Sequence, residues 1–205
     1  YSLSLGITPP FSLLDNKTDE DYKKMSSQEL YNWIEYYKIR FRSRTYTPLS
    51  GNRKLVMATR FDIGLLGAFN QYKRSPFGTF YMGGDGMTGY SSSYAYDIIA
   101  LRGYGNGDLG VGWLYQRAGL ELRYPLLMEQ SATIYASAFL EAGNLWSDFK
   151  HYSPFELKRS AGVGVRIFIP IVGLLGIDWA YGFDPVGTET KAHGGEFHFV
   201  IGQEF

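Results

Sequence analysis

The sequence predicts an all-β fold, a transmembrane antiparallel β-barrel, from three observations. The first is the end of the chain, Phe197-His198-Phe199-Val200-Ile201-Gly202-Gln203-Glu204-Phe205, where apolar and polar residues alternate up to a terminal phenylalanine. Period two sends Phe197, Phe199, Ile201 and Phe205 to one face, with His198, Gly202 and Glu204 on the other. An aromatic edge of this kind invites aggregation in water, whereas a barrel in lipid closes it. The second is composition: aromatics reach 17% and glycine 25 residues, yet no stretch approaches the roughly 20 consecutive apolar residues of a membrane helix. The third is the rhythm of the connections. Short ones at 48–53, 127–131 and 170–172 alternate with long ones at 15–30, 68–111, 147–156 and 184–195, the habit of barrels with short periplasmic turns and long extracellular loops.

Bulk properties set further bounds. The absence of Cys removes disulfide, zinc-cluster and thiol-nucleophile readings. Twenty basic and twenty acidic residues cancel, which leaves no bulk electrostatic case for nucleic acid. Because the chain opens on Tyr1 without an initiator Met or a signal region, it reads as a fragment or a processed product.

Eight strands are predicted, at 2–14, 31–47, 54–67, 112–126, 131–146, 157–169, 173–183 and 196–205. In the fourth, Ala118, Leu120, Leu122, Tyr124 and Leu126 oppose Gly119, Glu121 and Arg123. In the fifth, Ile134, Ala136, Ala138, Leu140 and Ala142 oppose Tyr135, Ser137, Phe139 and Glu141. In the sixth, Ala161, Val163, Val165, Ile167 and Ile169 oppose Gly162, Gly164 and Arg166. The other face collects Lys38, Arg40, Arg42, Arg44, Arg60, Asp62, Asp178 and His198. It is too polar for a packed soluble core and suits a barrel lumen, with the greasy face in lipid. Pro48, Pro125 and Pro170 fall where strands run into short turns, so their missing N–H groups cost no central ladder bond. Tyr31, Trp33, Tyr36, Trp113, Tyr115 and Trp146 lie near strand ends, as an interfacial girdle requires.

The connection at about 68–111 is too long for a passive turn. Rich in Tyr and Gly and poor in charge, it is expected to be ordered and to fold back into the lumen. An arginine carried into the lumen, Arg102, would need carboxylate partners to offset its desolvation, and Glu121 and Glu141 point the right way.

Tyr81-Met82-Gly83-Gly84, then Leu101-Arg102-Gly103-Tyr104, Glu121, Glu141-Ala142-Gly143, Arg159-Ser160-Ala161-Gly162-Val163-Gly164 and the aromatic terminal strand resemble, in that order, the C-terminal half of the BamA family of outer-membrane insertases. The resemblance covers nearly the whole chain. It implies that residues 1–205 are the C-terminal portion of a sixteen-stranded barrel, that the inward loop carries the Arg102-Gly103-Tyr104 motif, and that Arg102 pairs with Glu121 and Glu141. Leu101 and Tyr104 replace the family's Val and Phe, and Glu141 stands where Asp is common. The resemblance further implies a bacterial outer-membrane protein that is not an enzyme and has no cofactor. Its partners would be nascent outer-membrane β-barrel proteins, outer-membrane lipids and accessory assembly subunits. The terminal strand, with Phe197, Phe199, Ile201, Gly202 and Phe205, would then form a weak seam that opens sideways. A two-partner secretion translocase of the same superfamily, a porin and a small closed barrel are the competing readings.

Other motifs carry less. Gly105-Asn106-Gly107-Asp108-Leu109-Gly110 matches a dinucleotide-binding pattern, but it follows no buried parallel strand and opens no helix, so its glycines are read as turn residues. His151, His193 and His198 have no metal-ligand spacing, and no Ser-His-acid set is evident. The row Lys38, Arg40, Arg42 and Arg44 is read as a solvated lumen wall balanced by neighbouring acids, in preference to an anion-selective pore.

Overall fold

The computed structural model describes residues 1–86, 96–170 and 173–201. Along the chain run β1 (Ser2–Ile7), α1 (Asp19–Lys24), α2 (Ser27–Tyr31), β2 (Tyr37–Pro48), β3 (Val56–Gly67), β4 (Phe80–Met82), β5 (Asp97–Ile99), β6 (Gly110–Gly112), β7 (Leu114–Met128), β8 (Thr133–Trp146), β9 (Lys158–Ile169), β10 (Gly173–Gly182) and β11 (Gly194–Ile201). Eight of the strands form one sheet in the order β1-β2-β3-β7-β8-β9-β10-β11. Every neighbouring pair is antiparallel. Among the described residues no ladder joins β1 to β11, so these two strands are the edges of the sheet.

Side-chain alternation sorts the sheet into two unlike faces. Leu120, Leu140, Val163, Ile177 and Phe197 stand exposed on one, while Asp62, Glu121, Glu141, Arg166, Asp178 and His198 are buried on the other. Water would penalise such an apolar surface, which suits hydrocarbon. A bulge in β7 between Pro125 and Leu127 shifts its register with β8, where Pro125 lacks a donor.

Two predicted strands are shorter in the structure. The first stops at Ile7 and the second begins at Tyr37. Pro9 and Pro10 remove two successive donors after β1. The chain then folds into two short helices, each opened by a capping box, Thr18 with Asp21 and Ser26 with Glu29. The proposed aromatic girdle also needs correction. Tyr115 is buried against Phe80, with ring centroids 4.6 Å apart, and Trp146 is covered by Tyr152 at 4.9 Å.

The long connection between β3 and β7 contains a small sheet of its own, in the order β5-β4-β6, with β4 and β5 parallel. Its buried side chains Phe80, Met82 and Ile99 join Leu66, Leu101, Tyr104 and Tyr115 in the main apolar cluster. The core therefore lies between this segment and the polar side of the large sheet. Gly64 makes that approach possible, because a Cβ there would sit 2.3 Å from the Tyr115 ring and 2.9 Å from that of Phe80.

Candidate functional site

The site is built where the segment after β5 crosses the polar face. Leu101 N donates to Gly84 O at 3.1 Å and Gly84 N to Tyr104 O at 3.0 Å, which fixes the backbone on both sides of Arg102. Arg102 is fully buried. Its backbone N–H donates to Glu141 Oε2 at 3.0 Å, and Nε and Nη2 donate to Glu141 Oε1 at 3.1 and 2.7 Å. Nη2 also reaches Glu121 Oε2 at 2.8 Å, and Nη1 reaches Asp178 Oδ2 at 3.1 Å. One guanidinium thus binds β7, β8 and β10 together. Below it the Phe139 ring lies 3.4 Å from the guanidinium carbon, a cation–π contact made in a dry setting.

Further arginines keep the acids charge-paired. Arg123 Nε donates to Glu121 Oε1 at 2.7 Å, Arg60 Nη2 lies 3.8 Å from Glu141, and Arg166 grips both oxygens of Asp178. Glu121 and Glu141 were legible as partners from alternation alone. Asp178 was not, since it reads from sequence only as one polar residue on a more distant strand. Gly164 leaves room for it: a Cβ there would lie 1.7 Å from Asp178 Oδ1.

Gly103 has φ +88°, a left-handed conformation, and a Cβ there would sit 2.7 Å from that of Ser160. Its N–H donates to His198 Nε2 at 2.8 Å, which requires that nitrogen to be unprotonated and ties the motif to β11. The Tyr104 hydroxyl donates to Arg159 O at 2.7 Å and accepts from Asp184 N at 3.4 Å. Burial pushes the Tyr104 phenol up to about 12. Asp184 in turn accepts from Arg159 Nη2 at 2.8 Å and Nε at 3.0 Å, and that bond holds its carboxyl below the usual range.

On the terminal strand, Phe197, Phe199 and Ile201 are 66%, 56% and 61% exposed, while His198 and Val200 are buried. Gly202 and Phe205 lie outside the described residues. Gly105 to Gly110 form turns, with Gly105 N donating to Asp108 Oδ2 at 2.6 Å. Taken together, the buried groups make a clamp in which each carboxylate is held by arginine. That suits positioning of a segment and does not suit proton transfer.

No curated protein matches the chain. The crystal structure of BamA from Haemophilus ducreyi lacking POTRA domains 1–3 is similar over 80% of this chain, with a TM-score of 0.56 and 21% sequence identity. This chain covers 34% of that one. At this identity the likeness is one of fold: the antiparallel sheet described above is similar to part of the BamA barrel. The Omp85 superfamily domain matches residues 23–205, nearly the whole sequence, and the chain belongs to that superfamily.

Proposed function

We propose that the chain is the C-terminal portion of an outer-membrane factor that folds and inserts β-barrel proteins. The observation that carries this reading is the Arg102 clamp, which fixes an internal segment across three strands within a wall whose outer face suits lipid. Superfamily membership supports a barrel-assembly or translocase-type role in the outer membrane. On this reading the barrel opens between its first and last strands, and an incoming strand pairs with the exposed edge. The driving force is that unpaired N–H and C=O groups cannot remain in hydrocarbon, so an opened edge captures another strand. The role is non-catalytic and needs no cofactor. Its partners are nascent outer-membrane β-barrel proteins, lipids and accessory subunits.

The test uses the full-length protein reconstituted in lipid vesicles and supplied with an unfolded outer-membrane β-barrel client. Faster appearance of folded, protease-protected client than in empty vesicles is the expected result. Passage of a polypeptide across the vesicle without insertion would replace this reading with that of a secretion translocase.

A further inference from the structure

We infer that His198 is a positioning residue that works as a proton-operated latch: it holds the terminal strand to the clamped segment and releases β11 when its imidazole takes up a second proton. Nε2 accepts the Gly103 N–H at 2.8 Å, so the neutral ring carries its one proton on Nδ1. A second proton turns that nitrogen into a donor. Two N–H groups then face each other, and the buried Gly103 amide is left without an acceptor. Histidine is the side chain that makes such a change between pH ~5 and ~8.

Packing decides which side gives way. Gly103 is wedged between β9 and β10: a Cβ on it would sit 2.7 Å from that of Ser160 and 3.2 Å from Gly182 N, and one on Gly182 would sit 2.4 Å from Gly103 O. On one side of it Arg102 is bonded to Glu121, Glu141 and Asp178, and on the other the Tyr104 hydroxyl donates to Arg159 O. The motif therefore has no room to withdraw. β11 is freer, since among the described residues its ladder runs to β10 alone. Among the same residues the ring is faced by Asp178, opposite it on β10, by Glu141 on β8, by Asp85 ahead of the motif and by Glu196 on its own strand. Arg102 and Arg166 both hold Asp178, and Arg102 holds Glu141. An imidazolium gains an ion pair with either acid only by displacing an arginine, so the broken bond to Gly103 has no ready replacement. The latch itself does not depend on the assembly reading, whereas any effect on client insertion rests on it.

The experiment follows amide hydrogen exchange by mass spectrometry in the full-length protein in detergent, each rate divided by its intrinsic rate at that pH. As pH falls from ~7.5 to ~5, exchange in 194–201 should rise roughly fivefold or more, the effect of leaving one buried donor unpaired, while peptides from β7 and β9 stay unchanged. His198→Gln keeps an acceptor that takes no proton in this range, and should hold exchange slow at both pH values. His198→Leu, with no acceptor, should show the fast exchange already at pH ~7.5. His193 is the neighbouring imidazole, its ring centroid 5.4 Å from that of Tyr104, and His193→Gln should leave the response intact. A response present in the native protein and absent from H198Q, with client insertion unaltered by acid, would keep the latch and count against strand release as a step in assembly. Exchange independent of pH in the native protein, a full response retained in H198Q, or acceleration confined to the peptide holding Gly103 would each overturn the proposal.

Discussion

Arg102 concentrates more hydrogen bonds to carboxylates than any single pairing needs, and the reason is geometric. A planar fork can address Glu121, Glu141 and Asp178 at once, whereas a lysine ammonium would be one point charge among three acids. Arg102→Ala should leave Glu141 with only the more distant Arg60, while Glu121 and Asp178 keep Arg123 and Arg166, and cost up to about 3–5 kcal/mol. The expected outcome is release of the 80–112 segment in the full-length protein, seen as protease cleavage there. Arg102→Lys should rescue this only in part, and full protection in the Ala variant would show that the apolar cluster alone holds the segment. Tyr104 gives a pH-dependent companion. Its folded phenol pKa is raised to about 12, above the ~10 of a free phenol. The folded state therefore keeps a proton that the released state loses, so this contribution is complete below pH ~10 and disappears as pH rises towards 12. Protection of the segment should fall over that range, and Tyr104→Phe should remove this part of the loss. From sequence, alternation made Glu121 and Glu141 legible as partners for Arg102. It did not disclose Asp178 or the His198 acceptor, because both depend on how distant strands converge beneath one short segment.

At the scale of elements, the strands were the legible part because their outward faces carry an unbroken apolar row. The spans of β3, β7, β8, β9 and β10 follow that row to within a few residues. Where the row fails, the structure departs from it. The capping boxes at Thr18 and Ser26 were readable signals for two helices inside a connection expected only to be long. The sheet of β4, β5 and β6 had no such signal, since three-residue strands are too short to show a period. Tyr115 illustrates the same limit from the other side. An aromatic near a strand end reads as an interfacial anchor until a neighbouring segment is found packed over it. The alternating connections lead to a test of orientation. Cysteines at positions 20, 150 and 190, all exposed, should react with an impermeant thiol label on intact cells, while ones at 52 and 130, also exposed, should react only after the outer membrane is opened. The reverse pattern would invert the assigned orientation.

For the whole molecule, the ladders set which part can move. Each internal strand has partners on both sides, and its stability is spread over many cross-strand pairs. Among the described residues β11 pairs with β10 on one side only. Its outward Phe197, Phe199 and Ile201 suit lipid, and its inward His198 is joined to Gly103 of the clamped segment. In the proposed sixteen-stranded barrel this edge would meet the first strand, and the reading requires that seam to be weaker than the internal ladders. A disulfide between the terminal and first strands of the full-length protein should therefore abolish client insertion when oxidised, with reduction restoring it and the remaining ladders untouched throughout. Cross-linking must be verified as complete, because a small open fraction could carry the activity. Full insertion activity in the verified, oxidised protein would rule out sideways opening as the essential step. The interior would then be the route, with the Arg102 clamp setting the position of the segment that a passing chain must clear.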